Sequence, residues 1–348
     1  MLRGENPFTL TFGQRPNEFI NSRSEQIGRI ISSFNMEKAT NQVYMITGVR
    51  GSGKTVSLAE ISDYYNGKPD WIVLRLSIDT DIIEAAISEI NRKSAVNRLG
   101  FELSVNLGIA EMKVNQSRGE VSTESKFRNI LEELDRNKKK VLFVLDEVLN
   151  NSYIKKFVSY FQIYITQHYP VYLVMAGLYD NISELQNDKN LTFLYRAPKI
   201  ILEPLNIPAM ATSYRTIFDL PVKEAASMAK LTKGYPFAFQ ILGYLKWEAG
   251  ESVDKILPRF DECLTTYAYE KIWSELSVLD QKVMFAISSG LTKTIEIRER
   301  LNVSPQLLNT YRKRLMDRGV VDGTIRGELH LALPRFDVYI ETYCESPL

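Results

Sequence analysis

Short runs of consecutive apolar residues recur along the N-terminal part of the chain, separated by stretches with helical periodicity. Val43 to Ile46, Trp71 to Ser77, Val141 to Leu145, Val171 to Ala176 and Ile200 to Leu202 read as strands. A strand that is apolar at successive positions is buried on both faces, which predicts a parallel sheet covered by helices. Helices are predicted from about Ser24 to Phe34, Val56 to Tyr65, Asp79 to Lys93 and Ser125 to Asn137. One segment departs from this scheme. Phe101, Leu103, Val105, Leu107 and Ile109 alternate with mostly polar neighbours, which predicts an inserted β-hairpin at about 101–116, its role left open.

From about Asn206 the apolar period becomes helical throughout. Ile207 to Phe218, Val222 to Leu231, Phe237 to Glu248 and Ser252 to Leu276 read as helices parted by Pro221, Gly234-Tyr235-Pro236 and Gly250, with Pro258 expected to kink or break the last. The final segment repeats the helical pattern on a smaller scale. Helices are expected from Asp280 to Ser288, from Thr294 to Leu301, and from Pro305, with Ser304 as N-cap. Leu308, Tyr311 and Leu315 fall on one face of that last helix and Gln306, Asn309, Thr310 and Lys313 on the other. Gly319 stops it, and residues 320–331 read as two short strands round a turn, with Arg326 near the tip. Three helices followed by a ribbon make a winged helix, whose third helix suits a DNA major groove.

The bulk composition narrows the class. A chain of 348 residues is too long for one compact core, and 45% apolar with 24% charged residues is ordinary for a soluble globular protein. Net charge is +1, so any contact with nucleic acid requires a local patch. One exists: between Thr292 and Arg326, Lys293, Arg298, Arg300, Arg312, Lys313, Arg314, Arg318 and Arg326 face only Glu296, Glu299, Asp317 and Asp322. Two cysteines and two histidines, scattered, exclude a Cys/His zinc site or a disulfide framework and fit a reducing cytoplasm. The first residues lack an apolar signal core and no apolar run approaches a membrane span, so a cytoplasmic protein without a membrane partner is expected.

The chemistry concentrates after the first strand. Gly48-Val49-Arg50-Gly51-Ser52-Gly53-Lys54-Thr55 fits G-x-x-x-x-G-K-[ST] between a strand and a helix that continues at Val56. Glycines let the backbone turn its N–H groups toward phosphate oxygens, and the helix start adds its positive dipole end. Lys54 would reach the β- and γ-phosphates and the Thr55 hydroxyl would bind Mg²⁺. Asp146 closes the third strand and is placed to hold that metal, and Glu147 after it can serve as general base on the attacking water. Met175-Ala176-Gly177 supplies no polar side chain at the end of the next strand. Arg196 fits either a finger toward a neighbouring subunit's γ-phosphate or an ordinary surface arginine. Phe19 and Ile20 fit either packing on a nucleotide base or the core, and Pro236 opens a helix whose free N–H groups could face a nucleotide.

With these residues the chain resembles AAA+-type P-loop ATPases carrying a C-terminal winged helix, among them archaeal and origin-initiator-like ATPases, with the signal-transducing STAND ATPases as cousins. The resemblance implies an α/β core at 1–205, a helical lid at 206–276 and a winged helix-turn-helix at 277–348. It also implies a further strand between those that carry the loop and the acid pair, ATP with Mg²⁺, and assembly with copies of itself or a partner ATPase subunit. Two departures stand out: the missing polar sensor at Met175-Ala176-Gly177, and Gly234-Tyr235-Pro236 opening a lid helix as in STAND proteins, which together fit slow, switch-like hydrolysis. The expectation is an ATP-dependent DNA-binding protein of the initiator or loader kind, with Lys293, Gln306, Asn309, Thr310, Lys313, Arg314 and Arg326 toward DNA. The alternative is a STAND-like signalling switch whose winged helix makes protein contacts.

Overall fold

The computed structural model describes residues 4–11, 23–95 and 122–345. Phe19, Ile20 and the alternating segment 101–116 lie outside them. In chain order the elements are α1 (Ser24–Asn35), β1 (Val43–Thr47), α2 (Lys54–Asn66), β2 (Trp71–Leu76), α3 (Ile82–Ala95), α4 (Thr123–Arg136), β3 (Lys140–Leu145), α5 (Ser152–Thr166), β4 (Val171–Gly177), α6 (Tyr179–Gln186) and β5 (Lys199–Ile201). There follow α7 (Ile207–Phe218), α8 (Val222–Leu231), α9 (Pro236–Ala249), α10 (Val253–Leu264), α11 (Glu270–Ser274), α12 (Val278–Ser288), α13 (Thr294–Leu301), α14 (Pro305–Asp317), β6 (Val321–Asp322), β7 (His330–Leu331) and α15 (Phe336–Tyr343). Among the described residues no helix is long and apolar enough to cross a membrane.

The contacts divide the chain into two compact units, one of 26–47 with 54–200 and one of 1–25, 48–53 and 201–348. The first is built on a sheet of order β2-β3-β4-β1-β5. Its β1, β2, β3 and β4 pair in parallel and are buried almost throughout, as continuous apolar runs require. Alternation sends Val43, Met45, Phe143 and Leu173 to one face, where α3, α4 and α5 cover them with side chains such as Ile83, Phe127 and Phe157. Tyr44, Trp71 and Tyr172 go to the other face and pack with Phe34 of α1 and Tyr65 of α2. β4 lies between β1 and β3, as the resemblance implied. Helix α5 has an apolar face (Ile154, Phe157, Val158, Phe161) that the strand pattern alone did not single out.

The second unit is helical with a small antiparallel ribbon, β6 against β7. One apolar core runs through it from Met210 and Tyr214 to Leu315 and Ile340. Phe8 belongs to this core, stacked on Phe218 and edge-on to Phe239. That segment therefore anchors to the helical unit. Pro258 does not break α10: it sits on the exposed side, where the carbonyl deprived of its helical bond reaches water. The helix departs from α geometry later, as a π segment at Thr265–Tyr269 whose Tyr269 hydroxyl donates to the Pro334 carbonyl.

Asp280 ties the C-terminal helices together. It is fully buried, caps the start of α12 through Ser277, and receives Arg314 (2.6 Å) and Arg318 (3.4 Å) from α14 and its C-cap. Removing one member of a buried ion network leaves the others uncompensated, at a cost of about 3–5 kcal/mol. Asp280→Asn should therefore lower stability by about 3 kcal/mol in urea unfolding. A loss under about 1 kcal/mol would show that the network is not what seats α14.

Candidate functional site

The loop 48–53 follows β1 without a break and runs into α2 at Lys54. Within its own unit it is a tight coil: the Ser52 N–H donates to the Val49 carbonyl at 3.1 Å, and Gly51 and Gly53 take φ of +71° and +88°. A side chain at Gly51 would be strained and would also drive its Cβ into Tyr235 and to 2.8 Å from Phe237 Cβ. The motif's glycines thus answer both to backbone handedness and to close packing. The Ser52 hydroxyl is buried and has no hydrogen-bond partner among the described residues, an orphaned group at the place where a phosphate oxygen is expected.

Three side chains brace this loop, and sequence reasoning passed over all of them as braces. Arg23, 9% exposed, directs its guanidinium to main-chain carbonyls: Nη1 donates to Ser52, and Nε (3.1 Å) and Nη2 (2.6 Å) donate to Glu203. Burial pulls its pKa down to about 10, against the pull of Glu203 in the other direction. The Tyr235 hydroxyl donates to the Arg50 carbonyl at 2.6 Å. Burial pushes that phenol's pKa upward, so it stays a donor. Glu275 pairs with the Arg50 side chain at 3.1 Å. A Cβ at Gly319, just past α14, would come within van der Waals contact of Val49 (3.7 Å). An arginine ahead of a predicted helix and a carboxylate at the end of another carry no local pattern that points to a loop so distant in sequence.

The sheet unit holds the acidic half of the motif. Lys54, Thr55 and Val56 form the first turn of α2. The Thr55 hydroxyl donates to Asp146 Oδ2 at 2.6 Å, and the Glu147 N–H donates to Oδ1 at 2.8 Å. Register explains the encounter: Met175 of β4 pairs with Leu145 of β3 and with Met45 of β1, so the strands end at nearly one level. Ligands of open α/β sheets bind at that edge. Glu147 is exposed and held at φ +50°, a left-handed conformation that a glutamate adopts at a cost. Hydroxyl and carboxylate oxygens at one point are the hard donor set that Mg²⁺ takes, together with waters and phosphate oxygens. No cluster of three or more acidic, His or Cys side chains suited to a metal occurs among the described residues. At the end of β4, Met175, Ala176 and Gly177 are all buried.

The remaining expected residues are dispersed. Arg196 is exposed at the end of a 3-10 turn (Thr192–Arg196), and Pro236 is the first residue of α9. On the C-terminal helices, Gln306, Asn309, Thr310 and Lys313 are exposed on α14 and Arg326 is exposed between β6 and β7. Lys293 is exposed at the start of α13 and pairs with Glu296 at 3.6 Å. Arg314, expected toward DNA, pairs through its guanidinium with Asp280, because that buried carboxylate has to be neutralised. Arg318 shares that task and Arg312 donates to the Gly323 carbonyl, so the positive surplus read from sequence is only partly outward-facing.

A parallel sheet of this order, with its glycine loop, lysine–threonine turn and strand-end acid pair, is the α/β fold of P-loop NTPases in the AAA+ arrangement. Solved structures of the same fold include a Walker-type ATPase of Pyrococcus abyssi, 16% identical over 98% of this chain and 99% of that one, with a TM-score of 0.66. The ORC2 protein of Aeropyrum pernix, solved as ADPNP–ADP complexes, is 14% identical over 95% of both chains, with a TM-score of 0.56. Cdc6p of Pyrobaculum aerophilum is 15% identical over 95% of this chain and 94% of that one, with a TM-score of 0.50. The chain therefore shares the fold of these proteins. A family model described as a domain of unknown function (DUF8462) matches residues 267–340, from the π segment into α15. Comparison with curated proteins gave no significant match.

Replacing Arg23 with methionine would leave the buried Ser52 carbonyl and the part-buried Glu203 carbonyl without this donor. The expected cost is about 2 kcal/mol of stability, read from urea unfolding monitored by circular dichroism. Unchanged stability would remove Arg23 as the brace of the loop.

Proposed function

We propose that the protein is an ATP-dependent DNA-binding ATPase of the initiator or loader kind. The observation that carries the reading is the Thr55–Asp146 hydrogen bond, which joins the phosphate-loop threonine to the strand-end acid on which such chemistry depends. The nucleotide-bound state of the ORC2 protein that shares this fold supports nucleotide binding. The loop 48–53 with Lys54 would bind the phosphates, and Thr55 with Asp146 would hold Mg²⁺, which neutralises charge on the phosphate oxygens. Glu147 would take a proton from the water whose oxygen attacks the γ-phosphorus while the β–γ bridging bond breaks, giving ADP and phosphate. Its exposed, left-handed position at the strand end supports a group set apart from packing.

In this reading residues 1–205 form the ATPase core, 206–276 a helical lid and 277–348 a winged helix. α14 would enter the major groove with Gln306, Asn309, Thr310 and Lys313 forward, while Lys293 and Arg326 contact phosphates. Arg196, exposed at its turn, would complete the site of an adjoining copy or partner ATPase subunit, and Pro236 would bring the start of α9 toward the nucleotide. The protein would act in the cytoplasm. A second reading, a signalling switch whose C-terminal helices bind protein, draws support from the inward turn of Arg314 and Arg318 and from the exposed apolar side chains Ile295, Leu307 and Ile325.

Three measurements test the proposal. Lys54→Ala should abolish ATP binding in calorimetry, and Glu147→Gln should bind ATP while hydrolysing it at least about a hundredfold more slowly. Wild-type affinity in the first variant, or wild-type turnover in the second, would remove that residue from its role. Duplex DNA binding by fluorescence anisotropy over a salt series should be steep, and replacing both Lys313 and Arg326 with alanine should reduce the logarithmic salt slope by about two. Absence of binding with ATP, with ADP and without nucleotide would favour the signalling reading.

A further inference from the structure

The peptide units of the loop are not free to choose their direction. A trans peptide is planar, and its carbonyl oxygen and the following N–H point in opposite directions. Among the described residues there is no cis peptide. Holding the carbonyl of residue 50 therefore orients the N–H of residue 51, and holding that of residue 52 orients the N–H of residue 53. The structure holds both carbonyls with charged or buried donors: Tyr235 Oη on Arg50 and Arg23 on Ser52. These alternate peptides lead into the two glycines of positive φ, Gly51 and Gly53. Successive N–H groups turned to one side form an anion-binding concavity. An unbraced glycine-rich loop would have to give up conformational freedom when phosphate arrives.

We propose that Tyr235 and Arg23 are positioning residues that preset the Gly51 and Gly53 amides for phosphate. The inference rests on the reading of this loop as a nucleotide site. Tyr235 is the N-cap residue of α9 and is 4% exposed, its own N–H bonded to the Thr232 carbonyl and its carbonyl receiving Phe239 N–H. Its hydroxyl thus belongs to a rigid helix start, not to a mobile surface side chain. Through the Tyr235 hydroxyl, the start of α9 sets the direction of a phosphate-loop amide. Any displacement of that helix start would turn the Gly51 amide and change phosphate affinity. By reciprocity, bound phosphate would favour the helix position that satisfies the amide.

Tyr235→Phe removes only the hydroxyl. A matched control lies in the same core, where the buried Tyr214 hydroxyl donates to the Phe239 carbonyl at 2.7 Å and does not touch the loop. Calorimetry of ATP and ADP binding to the full chain is expected to show Tyr235→Phe weakened about fivefold or more, the worth of one preset hydrogen bond. Tyr214→Phe should bind as wild type, although both variants lose comparable stability in urea. Equal affinity of Tyr235→Phe and wild type would overturn the proposal, as would equal weakening by both variants, which would trace the effect to loss of stability. Failure of the underlying site is separately visible: wild type would then bind no ATP, or Lys54→Ala would bind it unchanged.

Discussion

The contact between Thr55 and Asp146 depends on strand register more than on either residue. Helix α2 can bring its first-turn hydroxyl to the acid only because β3 ends close to the end of β4, at Met175, and β4 ends level with β1. Parallel pairing at fixed spacing makes this edge rigid, and the apolar packing on both faces leaves the strands no room to slip. A shift of one residue in β3 would bury Asp146 in place of Leu145, at the price of an unpaired carboxylate in the core. The site chemistry is therefore anchored by the same burial that makes the sheet stable.

The helical unit solves a different problem. Its loop 48–53 has no regular structure, so its order comes from donors placed around it: a guanidinium behind Ser52, a phenol against the Arg50 carbonyl, a carboxylate on the Arg50 side chain. The exposed Arg50–Glu275 pair contributes little energy, since water and salt screen it. The buried donors contribute more, because losing either leaves a carbonyl with nothing to accept. The same unit also commits charge to its own cohesion. Asp280 holds two arginines of the α14 segment, and Arg335 forks onto Asp261. Helices of short length and modest apolar area are fixed in place by these pairs as well as by Leu308 and Leu315.

Charge counted along a sequence and charge presented by a surface differ for that reason. The stretch from Lys293 to Arg326 is basic, yet Arg312, Arg314 and Arg318 bond within the fold. Lys313 and Arg326 remain exposed with Gln306, Asn309 and Thr310. What faces outward on these helices is accordingly a mixture of polar, cationic and apolar groups, Ile295, Leu307 and Ile325 among them.

The strands, most helices and the glycine loop with its acid pair were legible in the sequence, because each is encoded locally. Continuous apolar runs mark doubly covered strands, the 3.6 period marks helices, and Ser304-Pro305 marks the start of α14. The strand order was implied by resemblance and is present in the sheet. Tertiary structure alone decided which groups brace the loop, since Arg23, Tyr235 and Glu275 lie far from it in sequence and meet it only on folding. It decided the fate of Pro258, tolerated because its side of α10 faces water. It also decided that Arg314 turns inward, because a carboxylate buried in the second unit requires a cation and sequence does not reveal which carboxylates will be buried.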